Sequence, residues 1–231
     1  MCYTLNTSIN TFIINIVFCF ILYAYANTNK NINTVNSIQL KIISLFFLYV
    51  GVMQFWDILF WINDENTQTN KYSTKMAMLW NHFEPIILFF LILFYMNKSP
   101  ISLTSLITII IYSILMVIYT VYNWNKVKKT SVIRETKNSL FWEWNYMEGS
   151  VPFYTIFLIT LLVLSFQNFS GWIRNLSLFF ILFTFFFSLY KYKIDKGVGR
   201  FWCYFAAYGP IFYLLLSFLI SSHNNLNNLN V

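Results

Sequence analysis

Long hydrophobic stretches separated by short polar segments make up almost the whole chain. Each is close to the ~20 residues that a helix needs to cross a ~30 Å hydrocarbon core. Their apolar residues run continuously instead of alternating, which excludes a transmembrane β-barrel and favours helices. The pattern predicts an all-α, polytopic bundle of seven transmembrane helices, followed by a disordered Asn-rich tail over 223–231. The seven spans are predicted at about 10–26, 41–62, 75–96, 101–123, 151–167, 174–191 and 200–221.

The composition indicates that lipid is the solvent of this chain. Hydrophobic residues account for 58% of the sequence and charged residues for 10%, whereas a soluble domain carries about 25% charged residues. Too few polar side chains remain to cover a water-soluble core. We therefore predict an integral, multi-pass membrane protein whose partner is the lipid bilayer, with no nucleic-acid partner.

Basic residues and tryptophans are distributed unequally between the two ends of the predicted spans. Connections on the N-terminal side contain eleven Lys and Arg residues, and those on the other side contain four. The positive-inside rule therefore places the N-terminus in the cytoplasm and, with seven spans, the C-terminus on the opposite side. An aromatic belt forms at both interfaces, so a one-sided excess of tryptophan indicates a structured mouth at the cytoplasmic face. The tryptophans toward that face are Trp56, Trp61, Trp80, Trp124, Trp142, Trp144 and Trp202.

The longest connection, residues 123–150, has a basic first part and an aromatic second part. In one interpretation it is an amphipathic helix lying in the interface, with residues 126–137 attracted to anionic lipid. In the other, the fifth span begins near Ser139 and bends at Pro152. A Gly-Ser pair just before that proline favours a break, so we expect the interfacial segment.

Polar residues inside the predicted spans mark a candidate site, because a charged group at the centre of a membrane helix costs about 2.5–3.5 kcal/mol on insertion scales. Gln54 and Asp57 share a face of the second span, and Asn81 and Glu84 share a face of the third. A cytoplasmic connection joins these two spans, so the four groups can meet at a similar depth. We predict that they form the floor of a ligand- or proton-binding pocket in the cytoplasmic half, with Arg200 as counter-charge.

Further residues near this depth are secondary candidates for the pocket: His82, Trp202, Cys203, Tyr204 and Glu143. The same polar side chains could instead join helices as a buried, hydrogen-bonded packing device. Both interpretations remain open at this point.

Several classes of cofactor and enzyme do not fit the chain. The last span has no lysine to form a retinal Schiff base, and His82 and His223 are too few for the usual histidine ligands of zinc. The sequence has no nucleophile–base–acid set and no phosphate-binding loop. We therefore expect no catalytic residues, no metal ligands and no cofactor, and we favour a non-enzymatic protein.

Four motifs carry a resemblance to a known group of proteins. The chain begins with Met1 and Cys2, and it contains MQFWD at 53–57, NHFEP at 81–85, and GRFWCYFAA at 199–207 followed by a proline. In these motifs it resembles seven-span membrane proteins, with no assigned activity, that large DNA viruses of eukaryotes encode. The resemblance implies a viral, A+T-rich origin and no particular activity. A host endomembrane, the plasma membrane and a viral envelope are all compatible with it.

Three functions follow from these patterns. The first is a helix bundle that binds or conducts a small ligand, an ion or a proton, with Asp57 and Glu84 as titrating groups. The second is a structural or interaction protein whose contact surface is the basic stretch 126–137 with the Trp-rich segment 140–148. An intramembrane enzyme is the third and has the least support. The sequence identifies neither the ligand nor a protein partner.

Overall fold

Nine helices and one short hairpin form the part of the chain that the structure describes. The structure is a computed structural model, which describes residues 4–29, 32–63, 66–96, 101–132, 140–192 and 198–229, with side chains except at 131–132, 192, 198, 200–201 and 222–229. The helices are α1 (Leu5–Thr28), α2 (Thr34–Ile62), α3 (Gln68–His82), α4 (Glu84–Tyr95), α5 (Leu103–Trp124), α6 (Ser150–Asn168), α7 (Gly171–Tyr192), α8 (Val198–Ala206) and α9 (Gly209–Leu229). The strands are β1 (Thr130–Val132) and β2 (Leu140–Trp142), and a single 3-10 turn covers Glu143–Tyr146.

Six stretches of helix in this part of the chain are long and apolar enough to cross a membrane, and a bent pair makes a seventh. This is the helix content of a multi-pass membrane protein, as predicted. Side-chain caps fix where several of these helices begin. Thr4, Asn33 and Ser102 each accept a hydrogen bond from the backbone N–H three residues later, which satisfies one of the free donors in a first helical turn.

The third predicted span is a bent pair of helices. α3 and α4 meet at 47° on either side of Phe83. Pro85 is the second residue of α4, and proline has no N–H to continue the helical hydrogen bonds of α3. The bend therefore follows from the sequence, and it places the polar residues at the end of α3 within the bundle.

The last predicted span is also interrupted, at Ala207 and Tyr208 between α8 and α9. Pro210 has no N–H to donate to the Ala206 carbonyl, and the N–H of Ile211 bonds to the Tyr208 carbonyl instead of that of Ala207. The Ala207 carbonyl accepts a hydrogen bond from Asn15 Nδ2 of α1, at 3.0 Å. A side chain of the first helix thus stabilises the break in the last span.

Gly51 of α2 permits the close approach of α1. A Cβ atom at this position would lie 1.9 Å from Asn15 Oδ1, well inside van der Waals contact. α2 is the most buried of the long helices, and it also contacts α3, α4, α8 and α9. The bundle is therefore built around α2, and Gly51 fixes how closely α1 packs on it.

The connection 123–150 is neither an amphipathic helix nor the beginning of the fifth span in its described residues, and its position in the interface stays a prediction. Instead of an amphipathic helix it contains the antiparallel pair β1–β2, with Thr130 opposite Trp142. Burial alternates along β2, because Leu140 and Trp142 are buried whereas Phe141 is half-buried, which is the period of a strand. α6 begins at Ser150, so the extension of this helix back to Ser139 is also wrong.

The predicted disordered tail differs as well, because α9 continues to Leu229. The segment from residue 211 onward contains neither proline nor glycine to end the helix. Residues 230 and 231 of the predicted tail lie outside the described residues.

A second hydrophobic core, distinct from that of the helix bundle, lies under the hairpin. It contains the buried rings of Trp142 and Trp144, with Met53 and Phe60 of α2 and Met78 of α3. Four further tryptophans pack against it: Trp56, Trp61, Trp80 and Trp124. Six of the seven tryptophans predicted to form a structured mouth therefore gather in or around one cluster.

Candidate functional site

A group of hydrogen-bonded polar side chains surrounds the bend between α3 and α4. Asn81 donates through Nδ2 to Glu84 Oε1 at 3.0 Å and accepts at Oδ1 from the Tyr154 hydroxyl at 3.2 Å. The same hydroxyl lies 3.3 Å from His82 Nε2, and His82 Nδ1 lies 2.9 Å from the Thr120 hydroxyl. Asn81 and Glu84, which the sequence places on one face, are hydrogen-bonded to each other across the bend, and α5 and α6 supply the neighbouring Thr120 and Tyr154.

The position of this polar group follows from local structure. Glu84 is in the first turn of α4, where a helix N-terminus favours negative charge. The Tyr112 hydroxyl of α5 donates to the His82 carbonyl at 2.6 Å and so ties α5 to the bend. The sulfur of Cys203 on α8 lies 4.0 Å from Asn81 Nδ2, which brings this secondary candidate to the same place.

Asp57 has a different hydrogen-bond partner from Glu84. Its Oδ1 accepts a hydrogen bond from the indole Nε1 of Trp142 on β2, at 3.1 Å, and both side chains are buried. Trp142 stacks on Trp144, with ring centroids 5.1 Å apart. Gln54, one turn earlier on α2, is also fully buried. Asp57 thus anchors the hairpin, whereas Glu84 belongs to the group at the bend.

The remaining candidates have separate places. Glu143 Oε2 accepts from the backbone N–H groups of Lys128 at 2.9 Å and Lys129 at 3.4 Å, so it closes the hairpin instead of extending a pocket. The Tyr204 hydroxyl of α8 lies 3.5 Å from that of Tyr208, in the interruption after this helix. The side chain of Arg200, the predicted counter-charge, lies outside the described residues.

A cavity of about 370 Å³ lies between α6, α7, α8 and the 3-10 turn, with Asn81 in its wall. Of the predicted residues, Asn81 and Trp202 line it, whereas Asp57 and Glu84 do not. Glu84 stands behind Asn81, joined to it by the hydrogen bond already described. The polar lining residues, apart from the rim tyrosine Tyr146, are Asn81, Asn145, Ser150, Tyr154 and Thr155.

Sequence reasoning missed several residues of this site. Tyr154 is one of sixteen tyrosines, and no pattern distinguishes it from the others. Thr120 is one of three threonines in α5, and the sequence makes each of these hydroxyl groups equally available for a bond within its own helix. Among these missed residues, only Asn145 could have been detected from the sequence. It is an amide between two aromatic residues of the 3-10 turn, and a buried amide needs a hydrogen-bond partner.

Among the described residues, no group of three or more His, Cys, Asp or Glu side chains is placed to hold a metal ion. The expectation that the protein needs no cofactor stays a prediction.

The chain matches no protein-family model, no curated protein and no solved structure. The resemblance to viral seven-span proteins therefore stays a prediction too, and the functional argument rests on the site itself.

Proposed function

We propose that this protein is a membrane-embedded helix bundle that binds a small ligand in the cavity beside Asn81. The observation that carries the proposal is a 370 Å³ space with mostly apolar walls and a few polar groups. Small-molecule sites typically have volumes of about 300–1,000 Å³ and this same mixture of surfaces. Conduction of ions or protons has less support, because Asp57 and Glu84, the predicted titrating groups, do not line the cavity.

The proposed topology has seven spans, with α3 and α4 crossing as one bent span. The N-terminus is on the cytoplasmic side, as the excess of Lys and Arg in the connections on that side favours. The cavity is bounded by the 3-10 turn and the first turn of α6, which belong to the same connection side. The ligand site is thus assigned to the cytoplasmic half of the bundle.

Thr155→Trp tests this function by filling the mouth of the cavity. Thr155 is an exposed lining residue of α6, so an indole there should occupy the space and exclude a ligand without disturbing the core. Ile159→Trp is the matched control, since Ile159 is exposed one turn further along the same helix and is not a lining residue. The measurement is mass spectrometry of small molecules that co-purify with each variant in lipid nanodiscs.

We expect one compound to be enriched near one copy per chain with the wild-type protein and with Ile159→Trp, and to be lost with Thr155→Trp. Identical profiles for all three proteins would contradict a ligand in this cavity.

A structural or interaction role is the second candidate, and a specific observation favours it. Both Asp57 and Glu84 accept hydrogen bonds from neighbouring buried side chains, as groups that join helices would. Its predicted contact surface needs correction, however. Trp142 and Trp144 are buried, so these two rings belong to the core. Within the described residues, the exposed basic side chains of that surface are those of Lys126, Lys128 and Lys129, and Tyr146 and Glu148 are exposed in the Trp-rich segment.

Replacing these three lysines by glutamine is expected to reduce the preference of the protein for anionic lipid. Each lysine near an anionic surface contributes about 1 kcal/mol of attraction, so the enrichment of phosphatidylserine over phosphatidylcholine in purified nanodiscs should fall at least about fivefold. Lys41→Gln with Arg174→Gln, at the other end of the bundle, is the control and should leave the ratio unchanged. An unaltered ratio in the triple variant would remove this surface as a lipid contact.

A further inference from the structure

A second, smaller cavity shares Trp202 with the cavity beside Asn81. This inner cavity lies between α2, α4, α6, α7 and α8, and its volume is about 30 Å³. A single water molecule needs roughly 10–15 Å³ of such space, so an occupant with about two non-hydrogen atoms fits. Because Trp202 lines both cavities, the two spaces meet at its side chain.

Glu84 contributes a carboxyl group to the lining of the inner cavity. The residue is buried, at 2% exposure, and its Oε1 accepts the hydrogen bond from Asn81. The other oxygen, Oε2, is not among the completely enclosed side-chain atoms that lack a partner, so an occupant of the cavity can reach it. An ionised carboxylate away from water is costly unless an opposite charge accompanies it. The buried carboxyl group therefore favours a cation as the occupant.

Aromatic rings make up much of the remaining wall. A cation is attracted to the face of an aromatic ring within roughly 6 Å of its centroid, and most strongly to tryptophan. An occupant of so small a space lies against all of its walls, and thus against these rings. The rings that line the inner cavity are those of Phe46, Phe47, Phe180 and Trp202. A carboxyl group among aromatic rings suits an ammonium group.

Two helix ends at the inner cavity have the polarity of an ion pair. Glu84 is the first residue of α4, and a helix N-terminus favours a negative charge. Cys203 and Ala206 line the cavity from the last turn of α8, and a helix C-terminus favours a positive charge. Pro210 has no N–H to bond the Ala206 carbonyl, so this acceptor lacks its usual helical donor. The two ends therefore match a carboxylate on α4 and a cation beside α8.

We infer that the inner cavity binds a small ammonium cation, either the ammonium ion or an amine of the size of methylammonium. Its N–H groups donate hydrogen bonds to Glu84 Oε2, and its charge lies against the aromatic rings. It enters past Trp202 from the cavity beside Asn81. This site is separate from the ligand site proposed above, and its occupation does not depend on a ligand in the larger cavity.

Binding of radiolabelled methylammonium to the purified protein in lipid nanodiscs, at fixed pH and ionic strength, tests this site. The wild-type protein should bind the label saturably, and unlabelled ammonium should displace it. Methanol, which is similar in size but uncharged, and tetramethylammonium, which is too large for the space, should not displace it at the same concentration. Sodium, which cannot donate hydrogen bonds, should also leave the label bound.

Glu84→Gln should lower the affinity for methylammonium at least about tenfold, because a hydrogen bond between charged groups is lost. The glutamine carbonyl can still accept from Asn81, so the bend keeps this contact. Asp57→Asn is the matched control. It also neutralises a buried carboxyl group, but Asp57 accepts from Trp142 and does not line the inner cavity. This variant should bind methylammonium as the wild type does.

Phe180→Leu is a second variant, which keeps an apolar side chain but removes one ring from the wall. It should weaken methylammonium binding roughly two- to fivefold. Thermal unfolding in detergent shows whether each variant folds. If Glu84→Gln does not fold, Phe180→Leu and the competition with methanol still decide between a cation and an uncharged occupant.

The inference would be overturned if methanol or sodium displaced the label as well as ammonium does, or if Glu84→Gln kept the wild-type affinity. Absence of saturable binding by the wild-type protein would overturn it too. A gain of binding in Arg200→Gln would in that case identify Arg200 as the positive charge opposite Glu84.

Discussion

Replacing Trp142 by alanine is expected to lower the free energy of unfolding by about 3–5 kcal/mol, the cost of removing a large buried ring. Trp142 is 1% exposed, stacks on Trp144 and donates its indole N–H to Asp57. Its loss opens a void in the second core and takes a donor from a buried carboxylate. Reversible unfolding in mixed detergent micelles, followed by near-ultraviolet circular dichroism, measures the change.

Two controls separate these contributions. Phe141→Ala alters the neighbouring residue on the half-buried face of β2 and should cost clearly less. Trp142→Phe keeps most of the ring but removes the N–H, so it isolates the hydrogen bond to Asp57, which is worth about 1–3 kcal/mol when its partner stays buried. Similar losses for Trp142→Ala and Phe141→Ala would show that the hairpin does not depend on this contact.

Gly51→Ala is expected to destabilise the bundle by about 1–3 kcal/mol, the usual effect of overfilling a tight contact. The new methyl group would lie 1.9 Å from Asn15 Oδ1, so the Asn15 side chain must move and its hydrogen bond to the Ala207 carbonyl weakens. Because alanine favours helices over glycine, any loss of stability must come from this contact. Unfolding in mixed micelles gives the measurement.

A double-mutant cycle with Asn15→Ala identifies the cause. Asn15→Ala removes both the obstructing amide and the hydrogen bond, so adding Gly51→Ala in that background should cost almost nothing. The coupling between the two substitutions should then be about 0.5–3 kcal/mol. If Gly51→Ala costs the same in both backgrounds, the loss of stability does not come from contact with the Asn15 side chain. Gly51 would then not be needed for the close approach of α1.

The helices were predictable because length and continuous hydrophobicity identify membrane spans, and both are local properties of the sequence. The hairpin was not, since β1 and β2 are three residues each, and alternation over three positions gives too weak a signal. Pro85 and Pro210 lie at the two interrupted spans, where a residue without an N–H breaks the helical hydrogen bonds. The 47° angle between α3 and α4 is not written in any local pattern.

The candidate site also has one part that local sequence predicts and another part that depends on distant residues. Asn81 and Glu84 are three residues apart, and helical geometry alone predicted that they would meet. The bond between Asp57 and Trp142 joins positions 85 residues apart, so the prediction that Asp57 shares the pocket of Glu84 had no means to choose between partners. The cavity itself is a property of how α6, α7 and α8 pack, so Asn81 and Trp202 could be named as candidates from the sequence but the space beside them could not.

The hydrogen bond from Asn15 to Ala207 also sets an order of events during synthesis. The two residues are 192 positions apart, and a ribosome adding ~5–20 residues per second takes roughly 10–40 s to make the intervening chain. Throughout that interval the first helix must reside in the translocon or the bilayer while the Asn15 carboxamide lacks the Ala207 carbonyl as its acceptor. Asn15 therefore forms this hydrogen bond only after almost the whole chain has been synthesised.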